Sequence, residues 1–434
     1  MTKHRIILGS AMIALAATGA LAGQAKRKPV VTRAAATAPA ALTQSQALVK
    51  SYVDTHKVPG IVAAIGQGNA PARLLSAGTL SFDAGAPAAD GGSLWRVYSM
   101  TKPVTAMAAM MLIEDGKLKL DQPVSDFIPA FKNMTVLVDP AKDLTAVPAK
   151  TPITVRHLLT HTAGLGYTII TTGPLLKEYE KNGIVPFTST AAVEQAARVV
   201  RPKTLQEFAN RVATLPLIAE PGTKWSYSIS LDVLGAVIEK ASGMPFDTFL
   251  QTRIFTPLKM DSTYFTVPKD AAARLVTGYT FFGANPVPID PGATSVFLQP
   301  PSFPYGGAGL VMSASDYDRF LHMLQNGGTL GGVRVMKRET VAMAMSNLLP
   351  TGVAYKDSSA KVPMGFGAGG SVTLADTPGG PGKGTYGWGG AAGTIAWVDP
   401  ARRQRVTVMV NYIPAGQWPL RTDFMKAFYA DTAK

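Results

Sequence analysis

Hydrophobic and polar positions along the chain follow a helical period in some segments and a strand pattern in others. An apolar stripe at helical spacing predicts a helix over residues 43–56. The stripe consists of Leu48, Tyr52 and Val53. Two β-rich runs follow at residues 61–65 and 74–82, separated by a turn that contains glycine and proline. The folded chain is therefore predicted to open with a helix and a β-hairpin.

The middle of the chain, residues 95–300, contains helical segments joined by long loops and lacks strand alternation. These segments are 103–114, 155–160, 205–217, 230–241 and 246–255. The last part returns to mixed patterns, with predicted helices at 315–326, 339–348 and 420–430 and β-rich runs at 393–398 and 405–412. Strands near both ends predict one α/β domain, residues 42–94 with 301–434, and a mainly helical domain, residues 95–300, inserted into it. A cleft between the two is the expected site.

The first 41 residues have the pattern of an export signal and a linker. Lys3, His4 and Arg5 precede an apolar run over residues 6–21, and Ala20-Leu21-Ala22 supplies a small-x-small cleavage pattern. We predict a signal peptide over residues 1–22, a flexible tether over residues 23–41, and a periplasmic or secreted protein. An uncleaved membrane anchor is the alternative, but the run is short for a hydrocarbon core of ~30 Å. No stable membrane insertion is expected after cleavage.

The amino-acid composition excludes several classes of protein and several kinds of functional site. The 434 residues are 47% hydrophobic and 16% charged, which is typical of a globular chain. The formal net charge of +14 includes six basic residues in the first 49 positions, and the rest carries no dense basic block, so no nucleic-acid partner is expected. The absence of cysteine excludes disulfides, thiolate metal sites and a cysteine nucleophile. His157 and His161 are four residues apart but lack the intervening glutamate of a zinc motif, so neither a metal nor an organic cofactor is expected.

A serine is the remaining common nucleophile. No serine lies in a Gly-x-Ser-x-Gly motif, which argues against an α/β-hydrolase. Ser-x-x-Lys at the start of a helix places a hydroxyl and an amine on one face, and desolvation favours the neutral amine that can accept a proton. This motif occurs at Ser99–Lys102 and again at Ser358–Lys361. The second copy lies in a polar stretch and is predicted to be a solvated loop. The first leads from a β-like run into an apolar helix, although a surface serine and lysine at a helix start is the alternative.

Three motifs resemble, in order and approximate spacing, the signature elements of the serine β-lactamase and penicillin-binding-protein superfamily. They are Tyr98-Ser99-Met100-Thr101-Lys102, Trp225-Ser226-Tyr227-Ser228 and Tyr386-Gly387-Trp388-Gly389-Gly390. The sequence is most similar to the esterase branch, the family VIII carboxylesterases. The resemblance covers about residues 42–426. It implies an α+β fold of the β-lactamase/transpeptidase type, in which an antiparallel sheet flanked by helices carries an inserted helix-rich domain and the active site lies between them.

The resemblance also implies roles for single residues. Ser99 would be the acylated nucleophile, and Lys102 and Tyr227 would share its proton, with either one as the base. The backbone N–H groups of Ser99 and Ala391 would form the oxyanion hole, since Gly389 and Gly390 let the backbone approach the substrate closely. The alternatives are an ordinary buried tyrosine at 227 and a simple turn at Gly389-Gly390. For His161 a structural role is expected.

Two departures from the lactamase pattern bear on the substrate. Ile229 stands where penicillin-recognising members have asparagine, and Trp388 stands where members that bind a β-lactam carboxylate have lysine or histidine. An indole cannot pair with a carboxylate. We therefore predict a serine carboxylesterase for small, uncharged, short-chain esters, with a pocket lined by Trp95, Tyr98, Trp225 and Trp388. The alternatives are a β-lactamase or D-Ala-D-Ala carboxypeptidase, and a non-catalytic protein that binds cell-wall peptides on the same scaffold.

Overall fold

Strands from both ends of the chain form one antiparallel sheet. The structure, a computed structural model, describes residues 41–185, 190–357 and 360–433. Its strands are β1 Gly60–Gln67, β2 Arg73–Gly78, β3 Leu94–Arg96, β4 Thr135–Leu137, β5 Ala146–Pro148, β6 Thr263–Tyr264, β7 Gly278–Phe282, β8 Asn285–Asp290, β9 Val311–Ser313, β10 Thr329–Leu330, β11 Val333–Arg334, β12 Met364–Phe366, β13 Ser371–Thr373, β14 Tyr386–Gly389, β15 Ile395–Asp399 and β16 Gln404–Met409. The main sheet has the order β12-β13-β14-β15-β16-β1-β2. The predicted antiparallel sheet built from both termini is confirmed.

The helices occupy the middle of the chain and flank the sheet. They are α1 Thr43–Asp54, α2 Thr101–Glu114, α3 Val155–Leu159, α4 Gly173–Lys181, α5 Ala191–Val200, α6 Leu205–Val212, α7 Ser230–Ser242, α8 Phe246–Leu250, α9 Thr256–Leu258, α10 Ala314–Gln325, α11 Arg338–Ala344 and α12 Leu420–Thr432. A π-helical turn, Gln251–Phe255, joins α8 to α9. The mixture of helices and an antiparallel sheet is the predicted α+β class.

The two faces of the sheet pack against different helices. Strand β1 is buried over seven of its eight residues, so its sequence is a continuous apolar run rather than an alternating one. Ile61, Ala63 and Ile65 belong to a core that includes residues of α1 and α12, whereas Val62 and Ala64 belong to the larger core that includes residues of α2 and α10. The sheet is thus a central layer with helices on both sides, and α2, which carries Lys102, lies on the inner side.

Several element ends differ from the sequence prediction for physical reasons. Helix α6 ends at Val212 instead of residue 217, because the Pro216 ring would clash with the carbonyl of residue 212 in a continued helix. The second strand ends at Gly78, whose φ is +76°. Helices α4 and α5 and the hairpin β7–β8 were not predicted.

Part of the predicted organisation lies outside the described residues. The predicted signal peptide and residues 23–40 of the predicted tether belong to this part. Within the described ranges, no helix is both long and apolar enough to cross a bilayer. The predicted domain boundaries stay predictions.

Candidate active site

The candidate nucleophile Ser99 sits in a tight turn between a strand and a helix. Strand β3 ends at Arg96, residues 98–100 form one 3₁₀ turn, and α2 begins at Thr101. Tyr98, directly before Ser99, has a φ of +40°, in the left-handed region that non-glycine residues rarely adopt. Strained backbone of this kind persists where the surroundings fix it and is often found at functional sites.

The segment around Ser99 is fixed from several sides. The Asn411 side chain accepts a hydrogen bond from the N–H of Arg96 at 3.0 Å and donates to its carbonyl at 3.1 Å. The Tyr317 hydroxyl donates to the carbonyl of Met100 at 3.0 Å. Asn411 follows strand β16 and Tyr317 lies on α10, so both the main sheet and a helix packed on it hold the Ser99 turn in place.

Lys102 contacts Ser99 from one helical turn further along. Its Nζ lies 3.1 Å from the Ser99 Oγ and donates a second hydrogen bond to the carbonyl of Gly307 at 2.7 Å. The Lys102 side chain is fully buried, so water competes little for these contacts. In contrast, the two serines of the second Ser-x-x-Lys copy lie outside the described residues. The structure thus brings Ser99 and Lys102 together as the helical spacing predicts.

Tyr227 reaches the same hydroxyl from the loop before α7. Its Oη lies 2.6 Å from the Ser99 Oγ, and its ring centroid lies 4.7 Å from the Lys102 Nζ. A cation this close to an aromatic face is attracted to it. The serine hydroxyl is therefore within hydrogen-bond distance of two groups that can exchange a proton with it, which is the arrangement needed for nucleophilic acyl transfer.

His161 holds the Tyr227 loop. The Ser228 N–H donates to the His161 Nδ1 at 3.2 Å, the two side chains are hydrogen-bonded at 2.9 Å, and the Ser226 N–H donates to the His161 carbonyl at 2.9 Å. His161 is completely buried, with its ring centroid 4.8 Å from that of Tyr227. Burial, reinforced by the nearby Lys102 charge, holds the pKa of His161 well below its ordinary value. A neutral His161 thus fixes the position of the segment Trp225-Ser226-Tyr227-Ser228 through hydrogen bonds.

The third motif lies on β14 and the turn after it. Strand β13 pairs only with Tyr386 and Gly387, whereas β15 pairs with all four residues of β14. The turn contains Gly390, where a Cβ would lie inside van der Waals distance of the Val97 carbonyl oxygen. Ala391 is exposed in this turn. The glycine therefore lets the β14–β15 turn lie against the segment that leads to Ser99.

Aromatic rings surround Tyr227. Trp388 lies with its ring centroid 5.8 Å from that of Tyr227, and Trp225 lies at 6.3 Å. Two rings that were not singled out from the sequence complete the cluster: Tyr355 lies 4.7 Å from Trp225, and Phe366 lies 5.2 Å from Trp388. The wall beside the nucleophile is thus mainly aromatic and apolar.

Three residues assigned to the pocket from the sequence lie in the core. Trp95 is 1% exposed on β3 and Ile229 is 2% exposed at the start of α7. Tyr98 is also buried and meets Phe297 edge-on at a centroid distance of 6.1 Å. The rings that lie around Tyr227 are Trp225, Trp388, Tyr355 and Phe366, and the substrate-contacting roles of Trp95, Tyr98 and Ile229 stay predictions.

A buried carboxylate also lies behind Lys102. Asp232, in the first turn of α7, accepts a hydrogen bond from the Gly307 N–H at 2.8 Å. Burial raises the pKa of Asp232 to about 6, and the Lys102 charge opposes this rise. The sequence signal for this residue was weak, because a single acid at a helix start is common.

The chain is similar to known proteins over most of its length. A family model described as Beta-lactamase matches residues 46–425. An uncharacterised protein of Mycobacterium tuberculosis is 32% identical over 383 residues, which cover 86% of this chain and 90% of that protein. Esterase EstB of Burkholderia gladioli is 31% identical over 361 residues, covering 78% of this chain and 82% of the esterase.

A solved structure agrees with the fold. The structure of EstCE1, described as a hydrolase with promiscuous acyltransferase activity, is similar with a TM-score of 0.72 and 27% sequence identity. The match covers 89% of this chain and 97% of EstCE1. The similarity thus extends over nearly the whole described fold.

Proposed function

We propose that this chain, which belongs to the β-lactamase family, is a serine hydrolase that cleaves short-chain carboxylic esters through an acyl-serine intermediate. The family has the β-lactamase fold and includes hydrolases with esterase activity. The observation that carries the proposal is the contact of the Ser99 Oγ with both the Lys102 Nζ at 3.1 Å and the Tyr227 Oη at 2.6 Å.

The proposed reaction begins with attack of the Ser99 Oγ on the ester carbonyl. The hydroxyl proton passes to the Lys102–Tyr227 pair, and the carbonyl oxygen becomes an oxyanion that the N–H groups of Ser99 and Ala391 stabilise. Collapse of this intermediate breaks the ester C–O bond, and the pair returns the proton to the leaving alcohol. Water then attacks the acyl-serine, with the same pair accepting its proton, and releases the carboxylic acid.

The walls of the site support an uncharged substrate. Trp388 supplies an apolar surface and one N–H donor where a lactamase would supply a cation. Ile229 supplies no carboxamide, and its side chain is buried at the start of α7. A β-lactam carboxylate and amide would therefore lose two polar partners, so the β-lactamase and carboxypeptidase alternatives are less favoured.

Acyl transfer to an alcohol is a second candidate activity. An acyl-serine can react with an alcohol in place of water, and EstCE1 is described as having such promiscuous activity. The aromatic cluster around Tyr227 favours this route, because apolar walls hold an organic alcohol more readily than they hold water. With 1-butanol added to a p-nitrophenyl acetate assay, butyl acetate should form in proportion to the alcohol; its absence would exclude this candidate.

A substrate panel with matched serine variants tests the main proposal. p-Nitrophenyl acetate, butyrate and decanoate and the cephalosporin nitrocefin are assayed with the wild type, Ser99→Ala and Ser358→Ala. We expect hydrolysis of the short esters, little turnover of nitrocefin, complete loss in Ser99→Ala, and wild-type rates in Ser358→Ala, the copy of the motif predicted to be a loop. Unchanged activity in Ser99→Ala would contradict the proposal, and nitrocefin turnover equal to ester turnover would favour the lactamase alternative.

A further inference from the structure

We propose that Asp232 is a positioning residue for Lys102. Asp232 fixes Gly307, whose carbonyl accepts a hydrogen bond from the Lys102 Nζ, and it supplies a buried negative charge behind Lys102. The inference rests on the proposed function, in which Lys102 and Tyr227 accept the proton of Ser99. Asp232 does not touch Ser99 in this arrangement. It would act through Gly307 and through its charge.

A short chain of hydrogen bonds connects the two side chains. The Asp232 Oδ1 accepts from the Gly307 N–H at 2.8 Å, and the Gly307 carbonyl accepts from the Lys102 Nζ at 2.7 Å. The second donor contact of the Nζ is the Ser99 Oγ at 3.1 Å. A shift of Gly307 would therefore change the direction in which the amine points at the nucleophile.

The glycines at 306 and 307 are closely enclosed. A Cβ on Gly307 would lie 2.5 Å from the Asp232 Oδ2, and one on Gly306 would overlap the Leu231 carbonyl oxygen. From the other side, the Thr105 hydroxyl of α2 donates to the Gly306 carbonyl at 2.7 Å. The segment is thus held between the start of α7 and α2, and Asp232 makes a hydrogen bond that fixes it from the α7 side.

The charges of the two residues are both taken out of water. Asp232 is 4% exposed and Lys102 is fully buried, so their mutual attraction is screened far less than at the surface. Asp232 also lies in the first turn of α7, where the helix dipole favours a negative charge. The carboxylate is therefore well placed to stabilise the protonated form of the Lys102–Tyr227 pair.

Other titratable groups also face this carboxylate. Burial raises the pKa values of Tyr167 and Tyr305, and the nearby negative charge of Asp232 adds to the rise. Tyr167 in addition lies with its ring centroid 5.5 Å from the Lys102 Nζ. Both tyrosines stay neutral at assay pH. Asp232, whose pKa is raised to about 6, titrates within the assayed range, so its charge acts on the Lys102–Tyr227 pair above that pH.

The sign of the expected effect follows from these charges. The pair accepts the Ser99 proton only after losing its own, and a negative Asp232 favours keeping that proton. Asp232→Asn removes the charge but keeps an oxygen that can accept from Gly307, so the acidic limb of kcat/KM should move to lower pH. Asp232→Ala removes the charge and the anchor, so kcat should also fall. Gly307→Ala disturbs the anchor without changing any charge, so kcat should fall while the acidic limb stays in place.

The experiment measures kcat and KM for p-nitrophenyl butyrate between pH 5 and 8.5 in all three variants. We expect the acidic midpoint of Asp232→Asn to fall by at least half a pH unit. In Asp232→Ala and Gly307→Ala we expect kcat to fall on the order of 10²-fold with KM nearly unchanged, as for a misplaced catalytic group. Titration with a phosphonate probe counts the folded, reactive sites, so a partly unfolded variant still gives a true kcat.

Asp316→Asn is the matched control. Asp316 is a buried acid in the first turn of α10 that accepts from the Ser262 N–H at 2.7 Å, and burial raises its pKa as well. Its replacement should affect stability and leave the acidic limb unchanged. Wild-type pH profiles and kcat in the Asp232 variants, with Ser99→Ala inactive, would overturn this inference alone. Full activity in Ser99→Ala would instead overturn the proposed function.

Discussion

The chemistry of the site depends on a few side chains whose environments differ sharply from water. Ser99 is hydrogen-bonded to Lys102 and Tyr227. Water competes little for these two contacts, because the lysine is buried and the tyrosine is partly covered. His161 stays neutral beneath Tyr227 and binds the backbone of Ser228. Ser99 thus has two direct polar contacts and a rigid support behind them.

Replacing His161 with asparagine should remove a pH-dependent loss of stability. Asparagine keeps an oxygen acceptor for the Ser228 N–H and tolerates the positive φ of 56° at this position. Folded His161 is neutral, because burial holds its pKa well below the ordinary value, whereas in the unfolded chain it titrates near ~6.5. The unfolded state then binds more protons, so lowering the pH from 7.5 to 5.5 should cost the wild type on the order of 1 kcal/mol of unfolding free energy that the variant does not lose.

Urea unfolding at the two pH values measures this difference. His56→Asn is the matched control, because His56 is exposed and has a similar φ of 54°. Its pH dependence should equal that of the wild type. An equal loss of unfolding free energy in the wild type and in His161→Asn would show that His161 is not neutral in the folded protein.

Local patterns predicted the contact of Ser99 with Lys102 better than they predicted the other groups around Ser99. Ser99 and Lys102 are three residues apart on a helix, so their contact follows from local geometry. The approach of Tyr227, 128 residues away, followed from the family resemblance. Phe366 and Tyr355 reach the cluster only through the packing of the sheet, which no short motif encodes.

Among the elements, the turn after β14 sets the distance between the third motif and the nucleophile. Gly390 lies against the Val97 carbonyl oxygen and the Thr394 hydroxyl, and its N–H donates to the Thr394 carbonyl at 2.7 Å. The turn and the segment before Ser99 are thus closely packed. The sequence indicated that glycines are needed here, but only the structure identifies Val97 as the neighbour.

Gly390→Ala should push the turn away from Ser99. The added Cβ overlaps backbone oxygen as well as a side chain, so we expect a loss of stability of about 1–3 kcal/mol, as for overpacked cores. If Ala391 contributes to the oxyanion hole, kcat should fall on the order of 10²-fold. Thermal unfolding and p-nitrophenyl butyrate kinetics measure the two effects.

Gly416→Ala provides the control for this substitution, because nothing lies within 4 Å of a Cβ at that position. It should match the wild type in both assays. A Gly390→Ala protein with wild-type stability and kcat would contradict the close approach of the turn to the Ser99 segment.

On the scale of the whole molecule, buried ion pairs join elements that are far apart in sequence. Arg96 Nε lies 2.5 Å from the Asp290 Oδ2 at the end of β8, with both side chains 1% exposed. On β16, Arg405 pairs with Asp318 of α10 at 2.8 Å. Such pairs contribute little net stability, but losing one partner typically costs about 3–5 kcal/mol because the other charge stays buried. The Arg96–Asp290 pair thus fixes the strand that leads into the Ser99 turn, and the Arg405–Asp318 pair fixes α10 on the main sheet.

We also propose that the protein is exported and processed before it acts. The basic residues Lys3 and Arg5, the apolar run and Ala20-Leu21-Ala22 support cleavage after Ala22. N-terminal sequencing of the protein expressed from the full-length gene in a bacterial host should give Gly23 as the first residue. The Ala22→Tyr variant should retain Met1, since a bulky side chain blocks the cleavage site. Recovery of wild-type protein that begins at Met1 would contradict this proposal.

Covalent labelling of the wild-type protein tests the central claim most directly. After reaction with a fluorophosphonate probe, intact-mass measurement and peptide fragmentation identify how many serines are modified and which ones. The account predicts a single adduct on Ser99, formed much more slowly in Lys102→Ala and in Tyr227→Phe. An adduct on another serine, or no adduct in protein that still hydrolyses esters, would contradict Ser99 as the nucleophile.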